Sequence, residues 1–251
     1  MNHQPLVSIG MAIYRAEFLE NLLSTLKNQT YKNVEYIVSI DSPNNSIIQT
    51  LIKDFQSSVN KVKVYIHRPA LGPWGNADFV YKQSTGYYFM RLDDDDSFKQ
   101  DTHIEFLVKE LNKGFDYVLP NVDIKYWENR KHIRTRENIM SCFDNCYSKF
   151  EFASASIKEP AMFYYGMFKM ISLRKLYHYI ENRGNKLFFC EGVFAHGVAS
   201  CLNGSYVPHE TLLYRIHGKN VSATYHVKTL IFEYKDLVPT IRKAAASWPA
   251  I

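Results

Sequence analysis

Gly86-Tyr87-Tyr88-Phe89-Met90-Arg91-Leu92-Asp93-Asp94-Asp95-Asp96 is the stretch that decides the fold. Tyr87 to Leu92 is rich in aromatic and apolar residues and reads as a buried strand. It runs directly into four consecutive aspartates. Carboxylates crowded together repel and resist ionising unless a cation sits among them. A hard divalent ion with oxygen ligands is the natural partner. The plain alternative is an acidic loop in solvent. Placement at a strand's carboxyl end argues against it, because ligands of open α/β sheets bind there.

Upstream, strands and helices alternate. Leu6 to Ile13 is an apolar, β-branched strand. Phe18, Leu19, Leu22, Leu23 and Leu26 recur at helical spacing. Val34 to Ile40 is a second strand and ends at Asp41. Ser42-Pro43-Asn44-Asn45 is turn chemistry, and Ile47, Ile48, Leu51, Ile52 and Phe55 mark a second helix. Val62 to His67 is a third strand. A Pro/Gly loop leads to a helix over Asn76 to Gln83, and the quoted strand is the fourth. This order predicts a parallel sheet with helices on both faces. Tyr14, Asp41 and Asp93 to Asp96 then converge on one edge.

Downstream the pattern is less regular. Phe115 to Pro120, Val122 to Tyr126, Phe163 to Ile171 and Leu212 to Ile216 read as strands. Leu173 to Ile180 and Gly192 to Leu202 read as helices, and Arg130 to Ser148 fits neither. Val227, Leu230, Ile231, Tyr234, Leu237, Val238 and Ile241 form an amphipathic stripe in a C-terminal helix. With no internal repeat or linker, the expected organisation is one domain over 1–224 with a helical tail over 225–251.

The 251 residues are 46% hydrophobic and 15% aromatic, enough for a core and unlike a disordered chain. Net charge is +5, but the basic residues are scattered. Nucleic-acid binding wants them clustered, so no nucleic-acid partner is expected. The densest run, Arg130, Lys131, Arg134 and Arg136, reads as a solvated face, with an anionic membrane or phosphorylated substrate as the lesser option. Cys142, Cys146, Cys190 and Cys201 form no CxxC pair and read as reduced thiols. Leu6 to Ile13 lacks the flanks of a signal peptide, and no stretch approaches a membrane span. The expected location is the cytoplasm, with peripheral contact at the inner face of the membrane left open.

Several segments together resemble the inverting family 2 glycosyltransferases. Val7-Ser8-Ile9 through Tyr14, then Gln29-Thr30-Tyr31-Lys32-Asn33-Val34-Glu35-Tyr36-Ile37-Val38, then Asp41, is similar to that family's opening. Gly86 to Asp96 resembles its Gly-Glu-Tyr…Leu-Asp-x-Asp-Asp segment, the DxD motif. The likeness covers residues 6–112 well. Later, Cys190-Glu191 resembles a Glu-Asp pair at a helix start, and Tyr214-Arg215-Ile216-His217-Gly218-Lys219-Asn220-Val221-Ser222 resembles a Tyr-Arg-x-His…Ser segment. The departures are Ala12 for a proline or threonine, Arg15 for an asparagine, Asp41-Ser42 for a doubled aspartate, and Cys190 for an acid.

The resemblance implies a GT-A fold, Rossmann-like, with a mostly parallel sheet flanked by helices. Residues 1–112 would bind a nucleotide-sugar donor, and 113–224 a saccharide or glycoconjugate acceptor. It implies Ala12, Tyr14, Asp41, Asp93, Asp94, Arg215 and Lys219 around the donor nucleotide. Asp95 and His217 would hold Mn2+ or Mg2+, and Glu191 would be the general base. Trp74 and Asp96 are candidates for contact with the sugar or acceptor. Plain structural readings remain for several: Tyr14 in packing, Asp41 and Glu191 at helix starts, His217 in a loop, Trp74 as an anchor. Three rivals share parts of the pattern. A haloacid-dehalogenase-type phosphatase would carry its aspartate on the first strand, and a nucleotidyltransferase would carry a Gly-rich basic loop after it. A non-catalytic transferase-like module would have no need of Asp93, Asp95, Glu191 and His217 together.

Overall fold

The computed structural model describes residues 4–128, 131–146, 151, 160–181, 198–199 and 201–217. Among these residues nine strands form one sheet, in the order Val62–Ile66, Val34–Ile40, Val7–Ile13, Tyr88–Asp93, Met167–Lys169, Tyr117–Glu128, Gly204–Ile216 and Ser97–Phe98, with Lys131–Arg136 paired to Tyr117–Glu128. The first half is β1 (Val7–Ile13), α1 (Leu19–Asn28), β2 (Val34–Ile40), α2 (Ser46–Ser58), β3 (Val62–Ile66), α3 (Gly72–Gln83) and β4 (Tyr88–Asp93). β1, β2, β3 and β4 are mutually parallel, with β1 between β2 and β4. Every residue of β1 and β2 is buried, as strands covered on both faces must be. α1 buries Leu19, Leu22, Leu23 and Leu26, and α2 buries Ile48, Ile52 and Phe55. Asn45 caps α2 by accepting from the N–H groups of Ile47 and Ile48, which settles two otherwise unpaired donors.

α3 starts at Gly72, four residues before the start expected from the sequence. Pro73 explains the difference, because proline suits a helix's first turn as well as a loop. The helix sits close on β1 at Gly10, where a Cβ would come within 2.7 Å of the Val80 side chain.

The second half is β5 (Ser97–Phe98), α4 (His103–Leu111), β6 (Tyr117–Glu128), β7 (Lys131–Arg136), β8 (Met167–Lys169), α5 (Met170–Glu181) and β9 (Gly204–Ile216), with 3-10 turns at Ile139–Phe143 and Pro160–Tyr165. Here the pairing is mixed. β6 runs parallel to β9 and antiparallel to β7 and β8, and β8 joins the halves by pairing antiparallel with β4. The two strands expected over 115–126 are one. Pro120 does not end it, because the register against β9 shifts between Pro120 and Asn121, and such an irregularity tolerates proline. Phe163 to Ile171 is a 3-10 turn, a short strand and a helix start rather than one strand. Of the helix expected over 192–202, Val198, Ala199 and Cys201 are helical and buried. Leu202 is a buried bend just after it, and residues 192–197 and 200 and the tail over 225–251 lie outside the described residues.

Candidate active site

β4 delivers the aspartates to the sheet edge, and a tight turn separates their roles. The Asp96 N–H donates to the Asp93 carbonyl at 3.2 Å. Around this turn the four carboxylates point to different partners. Asp93 pairs with Arg91 of its own strand. Asp94 accepts from the backbone N–H groups of Tyr14 at 2.7 Å and Arg15 at 2.5 Å, tying down the loop after β1. Asp95 lies 2.9 Å from His217 Nε2 at the end of β9. Asp96 is wholly buried and accepts from the Asp93 N–H at 2.7 Å. Its side chain is not among the residues lining the cavity described next.

The turn sits against a cavity of about 400 Å³ at the carboxyl ends of β1, β2 and β4. Ala12, Tyr14, Asp41, Trp74, Asp93, Asp94 and Asp95, all singled out from the sequence, line it. Tyr14 is 57% exposed, as a ring stacking on a ligand would be and a packing residue would not. Asp41 accepts from the Leu71 N–H at 3.2 Å, holding the loop before α3. It does not cap α2, since Asn45 does.

Arg215 is placed differently from the expectation. It is 4% exposed, donates to the Asp95 carbonyl and to Ser97 Oγ, and lies 5.0 Å over the Phe18 ring. The guanidinium braces the acidic turn from beneath and is not among the cavity-lining residues. Burial pulls its pKa down. Glu191 and Lys219 lie outside the described residues.

The sequence reading passed over part of the wall. Arg91, Asn76, Tyr164, Tyr165 and Tyr214 also line the cavity. Tyr164 stacks on Trp74 with ring centroids 6.5 Å apart, and Tyr165 packs on Tyr214 at 5.6 Å. Arg91 carried a sequence signal, since a lone arginine in a buried strand needs a partner. Tyr214 opens the Tyr-Arg-x-His segment quoted above, whereas Tyr164 and Tyr165 carried no signal in a chain with 18 tyrosines.

Burial governs the electrostatics of the acidic turn. Burial first, then the neighbouring Asp95 carboxylate, pushes Asp94 up to about 7. Burial likewise raises Asp93, against the pull of Arg91, and raises Asp96 further. Each shift measures the cost of holding negative charge there without a counter-ion. Asp95 Oδ2 and His217 Nε2, 2.9 Å apart, have the separation of two adjacent ligands of an octahedral ion, about 3 Å for bonds of about 2.1 Å. The same distance serves a hydrogen bond between them. A carboxylate and an imidazole beside raised carboxylates therefore fit a divalent metal. No group of three or more His, Cys, Asp or Glu suited to a metal occurs among the described residues, so two protein ligands is what the geometry offers.

Comparison with known proteins settles the family. Residues 8–180 match the profile of glycosyl transferase family 2. The chain belongs to that family. An uncharacterised glycosyltransferase of Methanocaldococcus jannaschii is 30% identical over 123 residues, 48% of this chain and 40% of that one. The GalNAc(5)-diNAcBac-PP-undecaprenol beta-1,3-glucosyltransferase of Campylobacter jejuni is 27% identical over 108 residues, 43% of this chain and 34% of that one. These matches span well under half of either relative's length. The crystal structure of S. aureus TarS 1–349 in complex with UDP superposes with a TM-score of 0.62 at 13% identity, covering 98% of this chain and 67% of that one. The fold is accordingly the GT-A arrangement of family 2, parallel in its first half and mixed in its second. Family membership sets aside the phosphatase and nucleotidyltransferase readings.

Proposed function

We propose that this chain is an inverting glycosyltransferase moving a sugar from a nucleoside-diphosphate donor, with UDP favoured, to an acceptor hydroxyl. The observation that carries the reading is the Asp95–His217 pair beside a cavity whose wall also presents Asp41, Tyr14 and Asp93. Tyr14 stacks on the base, and Asp41 accepts from a base N–H such as that of uracil. Asp93 faces the ribose or the metal's water shell. Asp95 and His217 would hold Mn2+ or Mg2+, with diphosphate oxygens as further ligands. A metal there supplies charge neutralisation for the leaving diphosphate. Asp94 holds the Tyr14 loop against the donor, and Arg215 keeps the Asp95 backbone in place.

Glu191 is proposed as the base that takes the acceptor hydroxyl's proton, on its sequence position alone. Residues 1–112 would bind the donor and 113–224 the acceptor, with 225–251 packed on the domain as a tail. The Campylobacter relative is named for a lipid-linked saccharide, and UDP occupies the TarS structure. The first supports a role in surface polysaccharide or glycoconjugate synthesis, and the second a UDP-sugar donor. No described helix is long and apolar enough to cross a membrane.

The test is a melting panel with UDP, GDP, dTDP and CMP, each with and without manganese, repeated on Asp95→Asn. A ligand that binds only the folded state raises its melting temperature by mass action. UDP with manganese should give the largest rise in the native chain. Asp95→Asn should lose the manganese-dependent part. An equal rise in the variant would remove Asp95 from the metal site. No rise with any nucleotide would overturn the donor reading.

A further inference from the structure

Arg91 is the buried cation of the cavity wall. Its side chain is 9% exposed and is ion-paired to Asp93 two residues along the same strand. The guanidinium also lies 4.9 Å over the Tyr164 ring, which stacks in turn on Trp74 at an interplanar angle of 25°. Arg91, Asp93, Tyr164 and Trp74 all line the cavity. Arg91 Nε is buried without a hydrogen-bond partner among the described residues.

A structural role alone accounts poorly for this arrangement. An ion pair taken out of water gains little over an apolar pair of the same volume, because desolvation offsets the attraction. The surrounding strand positions are Phe89, Met90 and Leu92, all buried, so an apolar residue would suit the sheet. Buried donors left unpaired are few in native proteins and call for an explanation. The arginine instead joins the acidic turn to the aromatic wall. A planar guanidinium can hold a carboxylate at its edge and an aromatic ring on its face at once, which lysine cannot.

We propose that Arg91 is a positioning residue that helps choose the donor's sugar. It fixes the Asp93 carboxylate and backs the Tyr164–Trp74 platform, so that a hexose ring lies against a wall of set shape. Aromatic faces meet the C–H surface of a sugar, so the set position of the Tyr164–Trp74 platform decides which hexose lies flat on it, while Asp93 stays with the ribose or the metal's water shell. The charge of Arg91 is already matched by Asp93, so the wall suits a neutral hexose better than an anionic one. This inference rests on the nucleotide-sugar reading above.

Calorimetry with manganese on the native chain, Arg91→Lys and Arg91→Met tests it, using UDP, UDP-glucose, UDP-galactose and UDP-N-acetylglucosamine. The native chain should favour one UDP-hexose. In Arg91→Met, a loss shared with UDP reports Asp93 at the ribose, and the favoured UDP-hexose should lose about tenfold beyond it, the scale of one sugar-reading contact. The ratio among hexoses should then collapse. Arg91→Lys keeps charge without the planar fork and should fall between. If Arg91→Met does not fold, Arg91→Lys and Tyr164→Leu carry the test, and both should narrow the ratio. A folded variant that keeps the native ratio overturns the inference and leaves the donor reading intact. A native chain that binds neither UDP nor any UDP-hexose overturns both.

Discussion

Four identical residues in a row do four different things. Asp93 pairs with Arg91, Asp94 holds the Tyr14 loop, Asp95 faces His217, and Asp96 closes the turn. Charge-assisted hydrogen bonds to backbone N–H groups are each worth about 1.5–3 kcal/mol. Asp94→Ala removes two of them and frees Tyr14 and Arg15. It should lower the melting temperature and weaken nucleotide binding about tenfold, the equivalent of about 1.4 kcal/mol, while the manganese requirement stays. Calorimetry with and without manganese reads both. Unchanged affinity would mean that the loop holds its shape without Asp94. The sequence showed that the run matters, since the contrast between an apolar strand and four charges needs no structure. It did not show which aspartate does what, because that depends on a turn whose geometry four identical letters do not encode. The contacts of Arg215 with the Asp95 carbonyl and Ser97 were not legible for a similar reason. A motif marks a residue as near the site without saying whether it faces the ligand or braces the loop that does.

At the scale of elements, close approach sets the site's shape. Gly10 faces α3, and an added Cβ would meet Val80 at 2.7 and 2.9 Å and Phe89 at 3.2 Å. Gly10→Ala should therefore lift α3, which carries Trp74 and Asn76 on the cavity wall. Overpacking of this kind costs about 1–3 kcal/mol, readable as a lower urea midpoint with an unchanged slope. Val80→Ala removes the nearest atom, Cγ2 at 2.7 Å, but keeps the Cβ at 2.9 Å, so the double variant should recover part of the loss and be more stable than the sum of the single losses. Strict additivity would show that the helix does not bear on Gly10. β1, β2, α1 and α2 were legible because each buries a clean stripe or an unbroken apolar run. α4 has the same kind of stripe, in Ile104, Leu107, Val108 and Leu111, but was not singled out. β7 was not legible at all, since all six of its residues are exposed and pattern reading depends on burial. β9 was seen only from Leu212, because Pro208, His209 and Glu210 interrupt the alternation that marks a strand.

Across the whole molecule, buried ionisable groups pull stability in opposite directions with pH. Asp94, raised to about 7, favours the folded form as pH falls, because the fold then binds a proton the unfolded chain does not yet hold. His103 acts the other way. It is wholly buried on α4, stacked on Phe98 at 4.2 Å, and 3.8 Å from Glu210 Oε2. Burial lowers its pKa from 6.5 to about 3, and burial also raises Glu210, so both groups favour their neutral forms. The unfolded chain takes up the histidine proton at pH 6.5 while the fold refuses it. Stability from this residue is complete above 6.5 and falls by up to about 1.4 kcal/mol per pH unit below it. Glu35 joins only in stronger acid. Burial works to raise it, but hydrogen bonds from Ser8, Thr85 and Lys63 outweigh that and hold it at about 2, so its contribution is lost as pH falls from 4.5 towards 2. Because the aspartates and His103 overlap between pH 7 and 5, the native profile alone does not separate them. The difference between native chain and His103→Leu does. Urea unfolding at pH 7 and pH 5 should show the variant gaining about 2 kcal/mol relative to native over that interval. Glu35→Gln should leave the same interval unchanged and act only below pH 4.5. A His103→Leu difference that is flat between pH 7 and 5 would mean that the fold accepts a charged histidine beside Glu210.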